Sequence, residues 1–272
     1  MTGCELARRL HGGHRVIGTL IVSPSPLWPA AVASVPLDFV FIDTEHVALD
    51  RAVLSWMCRA YAASGIPPVV RIPEPDPVAA CQVLDGGAVG VVAPYVETPE
   101  QVRALAGAVK HRPIKGRMLQ ERLSGRTEPA ELDNYLAERN ANNVLIINVE
   151  SAPAIEALDA LLAVPGLDGV LIGPHDLTCS LGIPEQYGHP AFAAAVHRIV
   201  TSARTAGIGA GMHFIFEDME REQSMVASGV NMIVHQSDIM AFENNMRRDI
   251  ATLRGNTSPD GTPEGPSRAA NI

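Results

Sequence analysis

The chain is poor in aromatic residues, 4% of 272, and it carries only two lysines, Lys110 and Lys115. Neither lysine stands at the end of an expected strand, which argues against an enzyme working through a lysine Schiff base. The four cysteines, Cys4, Cys58, Cys81 and Cys179, form no CxxC pair. A zinc knuckle is therefore unsupported, and the pattern fits reduced thiols in a cytosolic protein. No apolar run approaches the ~20 residues that a membrane helix needs. The N-terminal stretch MTGCELARRLHGGH lacks the apolar core of a signal peptide. There is no long basic run, and the formal net charge is −9. Neither nucleic acid nor an anionic membrane surface is an expected partner, and the expected location is the cytoplasm.

What is present is a large apolar fraction, 47%, distributed as short β-branched runs that alternate with helix-spaced segments. Strands are expected near Val16–Val22, Phe39–Asp43, Val69–Ile72, in VGVVAP, in VLIINVE, in GVLIG, in IGAGMH and in NMIVHQ. Runs this uniformly apolar read as strands covered on both faces, as in a parallel sheet. Helices are expected between them, with Pro77 in a first turn, Thr98 and Gln101 forming a capping box, Ser151 as a cap, and a last helix over Asp238–Leu253. Eight strand–helix units in strict alternation, with right-handed crossovers, predict an α/β fold closed as a (β/α)8 TIM barrel. It is expected as one domain over residues 1–254. Two segments interrupt the pattern. The prolines of SPSPLWP predict a loop, and HRPIKGRMLQERLSGR, with no clear period, predicts a long loop over one face. Residues 255–272 are polar and rich in Pro and Gly and predict an unstructured tail.

In this register five polar groups fall at or just beyond strand C-termini, the face where barrel active sites lie. They are Asp43 and His46 after the second strand, Arg71 at the third, Glu150 after the fifth and Asp176 after the sixth. Glu150 and Asp176, one strand apart, suit a hard divalent cation: Mg²⁺ first, with Mn²⁺ or Co²⁺ also fitting. Singly, each also suits a helix cap or an arginine partner. His46, three residues after Asp43, has the spacing for a carboxylate to hold one ring nitrogen while the other acts as a base. The same spacing fits a surface histidine beside a capping acid, and Glu45 is an alternative working acid. Arg71 closes an apolar strand and suits a substrate carboxylate or an enolate, or else a structural ion pair with a strand-end acid. His175, His213 and His235 also lie near strand ends. GGAVG precedes a strand and reads as a turn. Cys179 shows no nucleophile motif.

The segments FVFIDTEH, PPVVRIP, VLDGGAVGVVAP, NVES and GVLIGPHDLTCSLGIP resemble, in order and spacing from about Gly18 to Asp249, the HpcH/HpaI family of metal-dependent class II pyruvate aldolases. The resemblance implies a (β/α)8 barrel in a trimer-based homo-oligomer, often a hexamer, with the last helix exchanged between neighbours. It implies an enzyme that makes or breaks a carbon–carbon bond next to a 2-oxo acid such as pyruvate, with an aldehyde or related acceptor. By position, Glu150 and Asp176 match the metal ligands, Arg71 the residue that binds the oxo-acid and its enolate, and His46 with Asp43 the acid–base dyad. Gly173 and Pro174 match the backbone beside the substrate carboxylate. Asn148 stands where many members have glutamine; RPIKGRM and VHQSD also depart from the family pattern. These changes surround the acceptor side. The same enolate chemistry would also serve an oxaloacetate-type decarboxylase, an acyl-CoA lyase or a specialised bond-forming enzyme, and the rival of another class is a non-catalytic barrel that binds a partner.

Overall fold

The structure, a computed structural model, describes residues 1–126, 129–215 and 218–255. The eight apolar runs form eight strands: β1 (Val16–Ile21), β2 (Phe39–Asp43), β3 (Pro68–Arg71), β4 (Gly90–Ala93), β5 (Val144–Asn148), β6 (Gly169–Ile172), β7 (Gly209–Phe214) and β8 (Met232–Ser237). Each pairs in parallel with the next, and β8 pairs with β1, closing the barrel. The expected (β/α)8 fold is what the chain adopts.

The helices in chain order are α1 (Gly3–His11), α2 (Trp28–Val32), α3 (Arg51–Ala63), α4 (Pro77–Gly86), α5 (Pro99–Lys110), α6 (Gly116–Leu123), α7 (Ala130–Asn140), α8 (Ala152–Glu156), α9 (Leu158–Leu162), α10 (Pro174–Ser180), α11 (Pro190–Thr205), α12 (Met219–Ala227) and α13 (Asp238–Leu253). Their starts follow local chemistry. The Thr98–Gln101 capping box opens α5, the Ser151 hydroxyl accepts from the Ala154 N–H to open α8, and Pro77 sits in the first turn of α4.

Strand side chains alternate between two cores. Val40, Ile42, Val70, Ile147 and Ile172 face the helical shell. Phe39, Phe41, Val69, Val92, Ile146 and Leu171 fill the barrel interior, with Leu6 and Leu10 of α1 closing its lower end. The same alternation carries Asp43, Arg71 and Asn148 inward, because each stands two residues beyond an interior position of its strand. They form the top layer of the barrel interior, where apolar filling gives way to polar groups.

Two expectations are corrected. The stretch read as a loop through SPSPLWP ends in α2; Pro29 lies within its first two positions, where a missing N–H costs nothing. The segment 111–126 is not all loop: α6 forms because Leu119 and Leu123, one helical turn apart, lie against Gly107 of α5, where a methyl would stand 3.3 and 3.1 Å from them. After β6, Gly173 and Pro174 open α10, so Asp176 sits in a helical first turn. Apart from Gly255, the expected unstructured tail lies outside the described residues.

Candidate active site

A cavity of about 670 Å³ opens at the C-terminal end of the barrel, lined in part by Phe41, His46, Arg71, Asn148, Asp176 and His213. Its floor is built from adjacent strands. Asp43 and Arg71 are Cα partners in the β2–β3 register, so their side chains emerge side by side. Arg71 donates to both Asp43 oxygens, Nε to Oδ1 at 2.8 Å and Nη2 to Oδ2 at 2.6 Å, and it also lies 3.1 Å from Glu45 Oε2. Burial pushes the Asp43 carboxyl up, but the hydrogen bonds and charge of Arg71 outweigh it and hold the group below the usual carboxylate range. Burial works against the guanidinium too, and the same carboxylates more than offset it. Arg71 is thus fixed, charged and stacked 5.7 Å over the Phe41 ring.

That pairing corrects the expected dyad. His46 is not held by Asp43, whose oxygens are engaged by Arg71 and by the Glu45 N–H at 3.0 Å. The His46 ring is largely exposed, with Nε2 3.6 Å from Glu45 Oε1. It lines the cavity beside Glu45, with Asp43 one step behind.

The two candidate metal ligands meet at Gly173. A Cβ built there would stand 2.7 Å from Glu150 Oε2 and 3.6 Å from Asp176 Oδ2. Glycine is required for this approach, since its φ of −86° is ordinary and only the missing side chain matters. Glu150 is oriented from two sides: the Tyr95 N–H donates to Oε1 at 2.9 Å, and Asn148 Nδ2 donates to Oε2 at 2.7 Å. Burial, with the Asp176 and Glu45 charges nearby, lifts Glu150 to about 7. The two alternative roles are filled by other groups: Ser151 caps the next helix, and Arg71 is turned to Asp43 and Glu45.

These residues fit a divalent cation. Two carboxylates converge on one cradle, and the buried acid is short of positive charge. Among the described residues no group of three or more His, Cys, Asp or Glu side chains is placed to hold an ion. A pair of carboxylates, with water and substrate completing the shell, is the arrangement that Mg²⁺ commonly takes.

Sequence reading missed Tyr95. It adopts a left-handed φ of 54°, a costly conformation that clusters at functional sites. Its N–H orients Glu150 while its hydroxyl hydrogen-bonds Glu45, which with burial pushes the phenol up to about 12. The signal was a single Tyr in APYVET, indistinguishable from a loop residue. Of the three further histidines, His175 and His213 line the cavity, whereas His235 pairs with Glu222 at 2.9 Å.

The family model for HpcH/HpaI aldolase/citrate lyase matches residues 20–245. A 2-keto-3-deoxy-L-rhamnonate aldolase of Klebsiella pneumoniae is 33% identical over 251 residues, spanning 92% of this chain and 93% of that protein. Among solved structures, an HpcH/HpaI aldolase from Desulfitobacterium hafniense superposes with a TM-score of 0.79 at 26% identity, covering 95% of this chain and 99% of that one. The citrate synthase SbnG gives 0.78 at 28% identity, covering 92% and 97%.

Proposed function

The chain belongs to the HpcH/HpaI aldolase/citrate lyase family and is a metal-dependent carbon–carbon lyase of the aldolase type, and on that footing we propose how its own residues act on a 2-oxo acid such as pyruvate. The observation that carries the reading is the convergence of Glu150 Oε2 and Asp176 Oδ2 on Gly173, in a cavity that also holds the fixed cation Arg71.

Glu150 and Asp176 would hold Mg²⁺, Mn²⁺ or Co²⁺. When bound, such an ion supplies Lewis acidity, drawing electron density from a carbonyl oxygen. Arg71, locked by Asp43 and Glu45, presents its positive charge to the oxo-acid and to the oxygen that becomes negative as the enolate forms. Asp43 keeps that charge in place. His46, at the cavity rim and next to Glu45, takes the proton from the aldol hydroxyl in cleavage and returns it in synthesis. Asn148 fixes the Glu150 carboxylate, and the Gly173–Pro174 backbone lines the place for the substrate carboxylate. An aldehyde occupies the outer cavity.

The exposed stripe of Ile239, Phe242, Met246, Ile250 and Leu253 along α13 supports a homo-oligomer in which this helix packs on another copy, as a trimer or hexamer. The four free cysteines support a cytoplasmic setting. Among the described residues no helix is long and apolar enough to cross a membrane.

The structural likeness to a citrate synthase favours, as a second reading, the same enolate chemistry without an aldehyde, as in an oxaloacetate-type decarboxylase. The test is cleavage and condensation assayed with pyruvate plus an aldehyde panel, and with oxaloacetate alone. EDTA should abolish turnover and Mg²⁺ or Mn²⁺ restore it, with aldehydes consumed. Full turnover in EDTA would reject the reading, and turnover confined to oxaloacetate would favour the second.

A further inference from the structure

Glu150 shares a cradle with Asp176 only while its carboxylate is held at Gly173. One of its two holders, Asn148, stands two residues back along the chain. The other comes from a different loop: the Tyr95 N–H, 2.9 Å from Oε1, lies in the turn between β4 and α5.

That turn is not fixed by packing of its own side chain. The Tyr95 residue is 52% exposed, and its left-handed φ of 54° is disfavoured for a bulky residue. Such a conformation persists where the surroundings dictate it. Here a set of hydrogen bonds from the first turn of α5 dictates it. Gln101 Oε1 accepts from the N–H groups of Glu97 and Thr98, both at 2.9 Å, and Gln101 Nε2 donates to the Tyr95 carbonyl at 3.3 Å. The two backbone donors settle which end of the amide is oxygen, so the end that faces the Tyr95 carbonyl is the NH₂. The same turn is tied to the far side of the cradle: the Ser151 hydroxyl donates to Glu97 Oε1 at 2.6 Å.

Helix capping explains only part of this. A capping box needs a side-chain acceptor at residue 101, and glutamate supplies one as well as glutamine does. The donor to Tyr95 lies outside the box. Glutamate has no such donor and would set an oxygen against the Tyr95 carbonyl. An amide at this position therefore does two separable things: it starts α5, and it clamps the peptide that orients a candidate metal ligand.

We propose that Gln101 is a positioning residue, whose Nε2 holds the Tyr95 peptide in the conformation that presents its N–H to Glu150, so that a side chain outside the cavity sets the affinity for the divalent cation. This rests on the metal reading above and deepens it by naming what holds the ligand in place.

The experiment is isothermal titration with Mn²⁺, set beside thermal melts, for two variants that divide the roles. Gln101→Glu keeps the cap and loses the donor. It should melt with the wild type and bind Mn²⁺ at least tenfold more weakly. Its added negative charge by itself favours a cation, so electrostatics cannot produce that loss. Thr98→Ala breaks the cap and keeps the donor. It should melt at a lower temperature and bind Mn²⁺ within twofold of the wild type. If Gln101→Glu does not fold, the neutral Gln101→Met must show the tenfold loss. A smaller loss in the folded Gln101 variant, or a comparable loss in Thr98→Ala, overturns the proposal. A wild type that binds no Mn²⁺ overturns the metal reading and this proposal with it; binding by wild type alongside undiminished binding by Gln101→Glu overturns the role of Gln101 alone.

Discussion

Asp43 and Arg71 are Cα partners across β2 and β3, and their side chains close on each other through two hydrogen bonds of 2.8 and 2.6 Å in the barrel interior. The Arg71 cation is thus held by a buried acid, whereas the His46 ring lies against Glu45. Asp43→Asn leaves that cation poorly compensated. It is expected to cost about 3 kcal/mol of stability, as breaking a buried pair does, and to lower kcat/KM by roughly 100-fold or more. His46→Asn is expected to lower turnover with a stability change under about 0.5 kcal/mol, because the ring is exposed. Denaturant melts of the two variants check this; equal destabilisation would contradict the division of roles.

Gly173→Ala adds one methyl, placed 2.7 Å from Glu150 Oε2. The backbone at residue 173 accepts alanine, so the fold should persist. The carboxylate must move out of the cradle, and Mn²⁺ affinity is expected to fall at least tenfold, about 1.4 kcal/mol. Isothermal titration of the folded variant with Mn²⁺ reads this. Undiminished affinity would place the ion elsewhere.

The opposite end of the barrel carries stability alone. Asp168, just before β6, meets Lys110 Nζ at 2.5 Å and His11 Nε2 at 3.1 Å, and accepts from the Leu145 N–H at 2.7 Å. Burial would raise its pKa, but His11, Lys110 and that N–H win and lower it. A carboxyl depressed on folding contributes stability that is present above its unfolded pKa, about 3.9, and lost as pH falls through the folded value. Asp168→Asn should therefore destabilise by about 3 kcal/mol at pH 7, with the gap to wild type closing below pH ~4 and kcat/KM unaffected. Thermal melts from pH 3 to 8 check it; a gap constant with pH would show that charge is not the cause.

Phe242 is 63% exposed at the centre of the α13 stripe. Phe242→Glu puts a charge on a face assigned to another copy of the chain and should shift the assembly to smaller species. Light scattering on wild type and variant reads the mass. A wild-type monomer, or an assembly indifferent to the charge, would contradict the assignment.

Much of this architecture was legible in the sequence because barrel strands buried on both faces are uniformly apolar, and their limits are marked by Pro, Gly and capping residues. The last helix, Asp238–Leu253, coincides with its expected bounds for that reason. The site was legible only as positions along the chain. Which acid meets Arg71 depends on the β2–β3 register, and spacing within one strand–loop segment drew Asp43 to His46 instead. Tyr95 acts through its backbone N–H and a left-handed φ, neither of which leaves a compositional mark. Helix α6 depends on two leucines finding Gly107 of another helix, a contact with no local periodicity to announce it.

The central claim is that Glu150 and Asp176 jointly hold one divalent ion. Titration of the EDTA-stripped enzyme with Mn²⁺, followed by the loss of the free-ion EPR signal, tests it most directly. The expected result is one site per chain in wild type and none in the Glu150→Gln, Asp176→Asn double variant, with both proteins folded. Stoichiometric binding retained by that double variant would contradict the claim.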